Sequence, residues 1–519
     1  MWAYPEIRHL GDSLAYHAAG SPSRLAIRWS GRDTGFADLH ATVNRVANRL
    51  CEAGLKSGDR LVFLAKNSED FFLALFACAR VGACFAPVNW RLAGPELAVI
   101  VADIDASMAI VDRELEPLWH DVASRIPTTP PTRWIDAADT LRGWAEGAAE
   151  ESPGIAISED SPVIALYTSG TTGRPKAVIH THASFNHSRL SEHLEQAYDW
   201  RDGDVFLNPL PNFHLLSIAL SLQCLYNGVA LSLQKQFDPA EVLAAIGRDR
   251  PSLLVLTPTL IQMLLDHPAA ETTDFSSVRM TMYAGSPIAL GLIKRAMRSM
   301  PGSFMQFYGQ TETSGPVCLL RPDEHDFSNE GKLKSCGRPL PLIALRVVDE
   351  AGNDVPDGTP GELLIRAPSQ SAGYWRQPEE TRSKFRNGWY HSGDVAFRDA
   401  EGLYYIFDRL KDMIITGGEN VYSAEVENVL STHPDVGAVA VVGVPDPRWG
   451  EAVKAIVIAR RDASPTQEAL LAHCRERLAG YKIPKSIDFV ETFPVTGTGK
   501  ISKKDLRAPY WVGAERRVS

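Results

Sequence analysis

Along the first half of the chain, short apolar runs rich in β-branched and aromatic residues alternate with longer stretches of helical pattern. The runs 60–64, 83–88 and 106–111 have the first pattern, and 71–81 and 95–104 the second. That alternation predicts an α/β architecture with largely parallel strands. A second series, 252–256, 258–267, 278–284 and 288–300, repeats it, so two α/β subdomains in one large domain are expected. Beyond about Pro339 the pattern changes to short strands between Gly-rich turns, as in 343–348 and 361–366, which predicts a small, more antiparallel β subdomain. The C-terminal part reads as compact α+β. Val426, Val429 and Leu430 mark a helix, 437–444 and 452–459 strands, and Ser464-Pro465-Thr466-Gln467 a capping box for a helix ending at Gly480, with Pro484 beyond. Between the two parts, Asp408-Arg409-Leu410-Lys411-Asp412 is charged and lacks a core pattern. The expected organisation is a large N-terminal domain over 1–409 and a small mobile C-terminal domain over 410–519, with a hinge near 408–412.

A chain of 519 residues exceeds what one hydrophobic core usually organises, and 45% hydrophobic with 22% charged residues is an ordinary globular balance. The formal charge of −10 argues against general binding to nucleic acid or an anionic membrane, so an anionic ligand must be held by local cations. Seven cysteines without a Cys-x-x-Cys pair indicate neither a zinc site nor a disulfide framework and fit a reducing cytoplasm. The N-terminus lacks a basic region followed by an apolar core, and the apolar stretch 71–87 is broken by Arg80 and Gly82. Neither a signal peptide nor a membrane span is expected.

Against this background one loop stands out. Thr168, Ser169, Thr171 and Thr172 supply hydroxyls, Gly170 and Gly173 remove Cβ atoms, and Lys176 adds an ammonium, all between the apolar runs 163–166 and 177–179. Backbone N–H groups freed by glycine, together with such donors, suit a polyphosphate. A Walker A loop would need Gly-x-x-x-x-Gly-Lys-Ser/Thr opening into a helix, whereas here Pro175 precedes the lysine directly. Pro175 biases Arg174 toward extended backbone, so strand, loop, strand is expected, without a helix dipole. An ordinary surface turn is the competing reading.

Four further segments share this polar, Gly-containing or charged character: Tyr308-Gly309-Gln310-Thr311-Glu312-Thr313, Tyr390-His391-Ser392-Gly393-Asp394, Asp408 to Asp412, and Gly497-Thr498-Gly499-Lys500. In this order, and with the phosphate-like loop, they resemble the adenylate-forming superfamily of acyl-CoA synthetases, peptide-synthetase adenylation domains and luciferases. The run 413–422, containing Gly417-Gly418-Glu419, is similar to the CoA-ligase branch.

The resemblance implies an ATP-dependent enzyme that joins a carboxylic acid to AMP and then to coenzyme A. It implies that Thr168 to Lys176 cradle the β- and γ-phosphates, and that Glu312, with Thr168, helps hold Mg²⁺. Asp394 on a tight turn and Arg409 at the hinge would grip the ribose. Gly285-Ser286-Pro287 and Gln306-Phe307-Tyr308 would border adenine, packing in the core being the alternative for Phe307 and Tyr308, and Gly309, Gln310 and Thr311 are further cofactor-binding candidates. Lys500 would bridge the carboxylate and α-phosphate as the principal catalytic cation, while its neighbours Lys503 and Lys504 read as ordinary mobile surface lysines. Because Lys500 and the thiol need the same space in turn, the small domain should rotate about Lys411, bringing Gly417, Gly418 and Glu419 to a pantetheine tunnel.

Pro211-Asn212-Phe213-His214 resembles the segment flanking the acyl pocket, with His214 as a gate. Leu215 and Leu216 follow where many relatives carry a small residue. Tyr283, Ala284, Gly309 and Thr313 are further wall candidates, none of them a cation for a dicarboxylate. A medium- to long-chain fatty acid is the first expectation, an aryl or alicyclic acid the second. Loading of an acyl carrier protein, luciferase-type oxygenation, and a silent nucleotide-binding module stay open, as does a homodimer.

Overall fold

The structure is a computed structural model and describes residues 7–169, 175–409, 412–417, 419–461, 463–495 and 501–512. Six strands, in the spatial order Thr132–Ile135, Met108–Asp112, Arg60–Leu64, Cys84–Pro87, Pro162–Ser169 and Pro175–Thr181, form one sheet that is parallel except for its last pair. A nine-stranded sheet takes up the second series, with Met280–Ala284, Leu253–Leu256, Val205–Asn208 and Ala230–Leu233 parallel at its centre. Every residue of Leu253–Leu256 and Met280–Ala284 is buried, as strands covered on both faces require.

The two sheets share one core. The helix Glu69–Val81 buries nearly its whole circumference, and its Phe71 packs against Phe63 and Phe85 of one sheet, in a cluster of buried residues that also takes in Phe72, Phe76 and, from the other sheet, Phe206. Ala344–Val348, Gly361–Arg366, Trp389–Arg398 and Tyr404–Arg409 then pair antiparallel as the expected β subdomain. In the C-terminal part the long hairpin Val436–Asp446 and Gly450–Ala459 is flanked by Ile414–Thr416 and Ser486–Phe489, and the helices Ser423–Leu430 and Gln467–Arg475 close the core over Val441, Val453 and Leu470.

Several local expectations need correcting. The helix after Pro465 ends at Arg475, well before Gly480, and its N-cap is Thr466, whose hydroxyl accepts the Ala469 N–H. Gln467 does not close a capping box; its side-chain oxygen accepts the Ile487 N–H and ties the helix to the sheet. Asp408 and Arg409, in the segment expected to hold the hinge, complete the strand Tyr404–Arg409. Lys503 is not a mobile surface lysine: its ammonium lies 2.8 Å from Glu427 Oε1 and donates to Ser423 Oγ at 2.5 Å. Lys504 is exposed as expected. Among the described residues no helix is long and apolar enough to cross a membrane.

Candidate active site

Pro162–Ser169 and Pro175–Thr181 run antiparallel with Thr168 opposite Lys176, so the phosphate-like segment is a strand, loop, strand as its proline predicts. Thr168 Oγ1 lies 3.4 Å from the Lys176 carbonyl oxygen. Gly170, Thr171, Thr172 and Gly173 lie outside the described residues, and of Ser169 only the backbone is described. The Lys176 side chain is 7% exposed; its Nζ is 2.5 Å from Glu380 Oε1 and 5.7 Å from the centre of the Tyr374 ring.

Tyr374 connects this lysine to the next segment, donating its hydroxyl to Glu312 Oε1 at 2.9 Å. Glu312 sits in the short turn Thr311–Thr313 that ends the strand Ser303–Gln310. Thr313 Oγ1 accepts the Gln310 N–H and donates to the Gly315 carbonyl, which fixes the turn. Among the described residues the other Glu312 oxygen takes no hydrogen bond, which leaves it able to meet a cation.

Asp394 receives the Tyr308 hydroxyl at 2.6 Å and Gln310 Nε2 at 2.7 Å, while Tyr390 donates to Gln310 Oε1 at 2.5 Å. Burial first, and the Asp394 and Glu312 carboxylates second, hold the hydroxyls of Tyr308, Tyr374 and Tyr390 well above the ordinary phenol value. All three therefore stay protonated and act as donors to the carboxylates and the amide. Asp394 does not lie on a tight turn. It is an interior residue of the strand Trp389–Arg398, next to Gly393 with φ of +70°, and pairs in register with Arg409 across the sheet. The Arg409 side chain is outside the described residues.

On the side expected for adenine, Gly285 follows the strand Met280–Ala284 with φ of +97°, and Gly285 and Pro287 are exposed with Ser286 half-buried between them. The neighbouring strand alternates. Phe307 is buried and stacks on Tyr198 with ring centres 5.7 Å apart, so its ring belongs to the core. Tyr308 is the aromatic that reaches Asp394. Gly309 is required by close packing, because a Cβ there would lie 2.5 Å from the Gly315 carbonyl oxygen. Gln306 is buried, with its side-chain oxygen lacking a partner.

His214 directly precedes the helix Leu215–Tyr226, its ring 5.6 Å from that of Phe213. Of the wall candidates, Tyr283 bonds His325 Nε2 at 3.0 Å inside the core. Ala284 is buried at the end of its strand. In the C-terminal part, Gly417 turns between Ile414–Thr416 and Glu419–Val421 with φ of +62°, donating its N–H to the Trp449 carbonyl, and Glu419 is exposed beside it. Gly418, Lys411 and Lys500 lie outside the described residues.

Residues 14–375 match the AMP-binding enzyme family, and residues 425–500 match the AMP-binding enzyme C-terminal domain. The chain belongs to the AMP-binding enzyme family. Similar members include a feruloyl-CoA synthase of Amycolatopsis sp, 38% identical over 96% of this chain and 99% of that one. The fatty acid–[acyl-carrier-protein] ligase ScoC of Streptomyces coeruleorubidus is 34% identical over 99% of both chains. The crystal structure of ATP-bound MatB from Rhodopseudomonas palustris superposes with a TM-score of 0.88 at 30% identity, covering 97% of this chain and 99% of that one.

In this AMP-binding enzyme the sequence reading missed Tyr374 and Glu380, and it gave Tyr390, within its quoted segment, no role of its own. The motif Gly373-Tyr374 followed by Pro378-Glu379-Glu380 is a short polar segment between strands, the same kind of signal that marked the others. It carries no glycine-rich loop and no lysine, so nothing in it pointed to phosphate.

Proposed function

We propose that this AMP-binding enzyme is an AMP-forming carboxylate–CoA ligase acting on an apolar monocarboxylic acid, a medium- to long-chain fatty acid first. The observation that carries this reading is the meeting of Lys176, Glu312 and Asp394, drawn from three distant segments, through tyrosine and glutamine donors.

In the first step a substrate carboxylate oxygen bonds to the α-phosphorus of ATP and the bond to the β-phosphate bridging oxygen breaks, releasing pyrophosphate. Both reactants are anions, so positioned cations must offset charge at the phosphates. Lys176 and the Thr168 to Gly173 segment serve the β- and γ-phosphates, and Asp394 with Arg409 takes the ribose hydroxyls. Glu312 fits Mg²⁺, a hard cation, with one oxygen open; the described residues form no group of three or more such ligands, so phosphate oxygens would complete the shell. Lys500 orients the carboxylate toward the α-phosphate. In the second step the CoA thiol, entering past Gly417, Gly418 and Glu419, bonds to the acyl carbon and AMP leaves. The domain boundary at 409/410 and a pivot at Lys411 belong to the same reading, as do a cytoplasmic location and a homodimer.

The fatty-acid preference is supported by the Streptomyces relative, while the absence of a cation among Tyr283, Ala284, Gly309 and Thr313 argues against a dicarboxylic acid. An aryl acid is the second reading. It is favoured by the feruloyl-CoA synthase and by Gln223, fully buried on the helix that follows His214, whose amide oxygen and nitrogen both lack partners. A substrate with a polar far end would suit such a group better than an alkyl chain.

A panel of fatty and aryl acids assayed for AMP release with and without CoA tests both. Release that depends on CoA and is fastest with a fatty acid is expected. Release indifferent to CoA, and supported by a carrier protein, would move the chain to the carrier-loading class.

A further inference from the structure

Glu380 occupies the position of an anion on Lys176. The two charges are 2.5 Å apart, with side chains 7% and 29% exposed. Both ride on one hydrogen-bonded unit. The segment before Glu380 lies along the strand that carries Lys176, through Ala372 N–H to Ile179 O, Ile179 N–H to Gly373 O, and Trp375 N–H to Ala177 O. Thr381 then folds the helix Pro378–Lys384 back on this segment, accepting the Tyr374 N–H and donating to the Gln377 carbonyl. Gly373, at φ of +102°, permits the approach, since a Cβ there would lie 2.3 Å from Thr381 Cγ2.

A buried ammonium without a counter-charge is costly, so Lys176 needs an anion whenever phosphate is away. A carboxylate fixed at the same ammonium becomes a like charge beside any phosphate that takes its place, which weakens that phosphate. Resting on the reading of Lys176 as a phosphate ligand, we infer that Glu380 is a resident counter-anion that holds Lys176 between turnovers and competes with the departing pyrophosphate for it. The face of Tyr374, 5.7 Å from Nζ, keeps the ammonium near both partners as it exchanges. Glu380 is thus a positioning residue for release of the first product.

The test is Glu380→Gln in the full chain, read as the inhibition constant of magnesium pyrophosphate against ATP and as direct calorimetric binding of pyrophosphate. Removing the competing charge should tighten pyrophosphate about tenfold and lower KM for ATP without raising kcat. Glu380→Asp, which keeps the charge but withdraws it by one methylene, should tighten pyrophosphate in the same direction by a smaller factor, and it serves alone should the glutamine variant not fold. A purely structural ion pair cannot tighten a ligand when broken, so unchanged or weaker pyrophosphate binding in a folded variant overturns the inference. Lys176→Ala separates the two layers. If it leaves pyrophosphate and ATP binding intact, the phosphate reading itself fails; if it weakens both while Glu380→Gln tightens neither, only the role of Glu380 does.

Discussion

Asp394 and Arg409 are cross-strand partners, paired in register between the antiparallel strands Trp389–Arg398 and Tyr404–Arg409. Asp394 is 4% exposed and already holds the Tyr308 hydroxyl and the Gln310 amide. The proposed ribose grip would therefore be built on a sheet, where neighbouring backbone bonds limit its movement more than a loop would.

Replacing Asp394 by Asn keeps the shape and removes the charge. It should lower kcat/KM for ATP about a hundredfold, the scale of losing charge-assisted hydrogen bonds, with little change in the KM for the acid. ATP–pyrophosphate exchange measures it. A variant within about twofold of native would remove Asp394 from the nucleotide site.

Lys500→Ala should cut adenylate formation by about three orders of magnitude while a supplied acyl-adenylate is still converted to thioester. The two half-reactions are assayed separately, by pyrophosphate exchange and by CoA consumption. An unchanged exchange rate refutes its role.

The pivot can be tested where the two parts of the chain touch. Asp408 Oδ2 accepts the Ser423 N–H at 2.7 Å, and the rings of Phe407 and Tyr422 stack with centres 5.2 Å apart and planes 15° apart. A rotation about Lys411 must part these residues, which flank the pivot on both sides. Lys411→Pro, which restricts the backbone there, should leave pyrophosphate release near native and slow thioester formation at least about tenfold. Equal loss in both steps would count against the pivot.

Glu192 offers a pH test independent of catalysis. Burial away from water pushes its carboxyl up to about 8, although Ser188 donates to it at 3.0 Å and Arg189 is near. Its pKa in the unfolded chain is about 4.3. The folded state therefore binds the extra proton between these values, and the associated stability is full below about pH 4.3 and is lost as pH rises toward 8. Glu192→Gln keeps an acceptor for Ser188 and removes the titration. Denaturant unfolding should show the variant gaining on native protein by a few kcal/mol, on the order of the pKa difference, between pH 5 and pH 9. Parallel profiles would contradict this.

The α/β order, the antiparallel β subdomain and the strand, loop, strand around Lys176 were legible because each rests on local chemistry: period, turn residues and a proline next to a lysine. Helix ends were less so. Gly480 looked like a terminator, yet the helix stops at Arg475, and Gln467 was drawn from its expected cap by the Ile487 N–H of a strand. Lys503 looked like any lysine near a C-terminus until Glu427 and Ser423 closed on it.

By itself the amino-acid sequence determined which residue types were available to an adenylate-forming site and in what order, since glycines, hydroxyls and isolated charges in apolar surroundings keep their chemistry in any fold. Only the tertiary structure decided which of them meet. Lys176 and Glu380 are 204 positions apart and Tyr308 and Asp394 are 86 apart, and such pairs form because sheets and helices pack, at distances no local pattern encodes. It also decided between the rings of Phe307 and Tyr308: strand alternation places neighbours on opposite faces, but which face is the core depends on Tyr198, more than a hundred residues away in the chain.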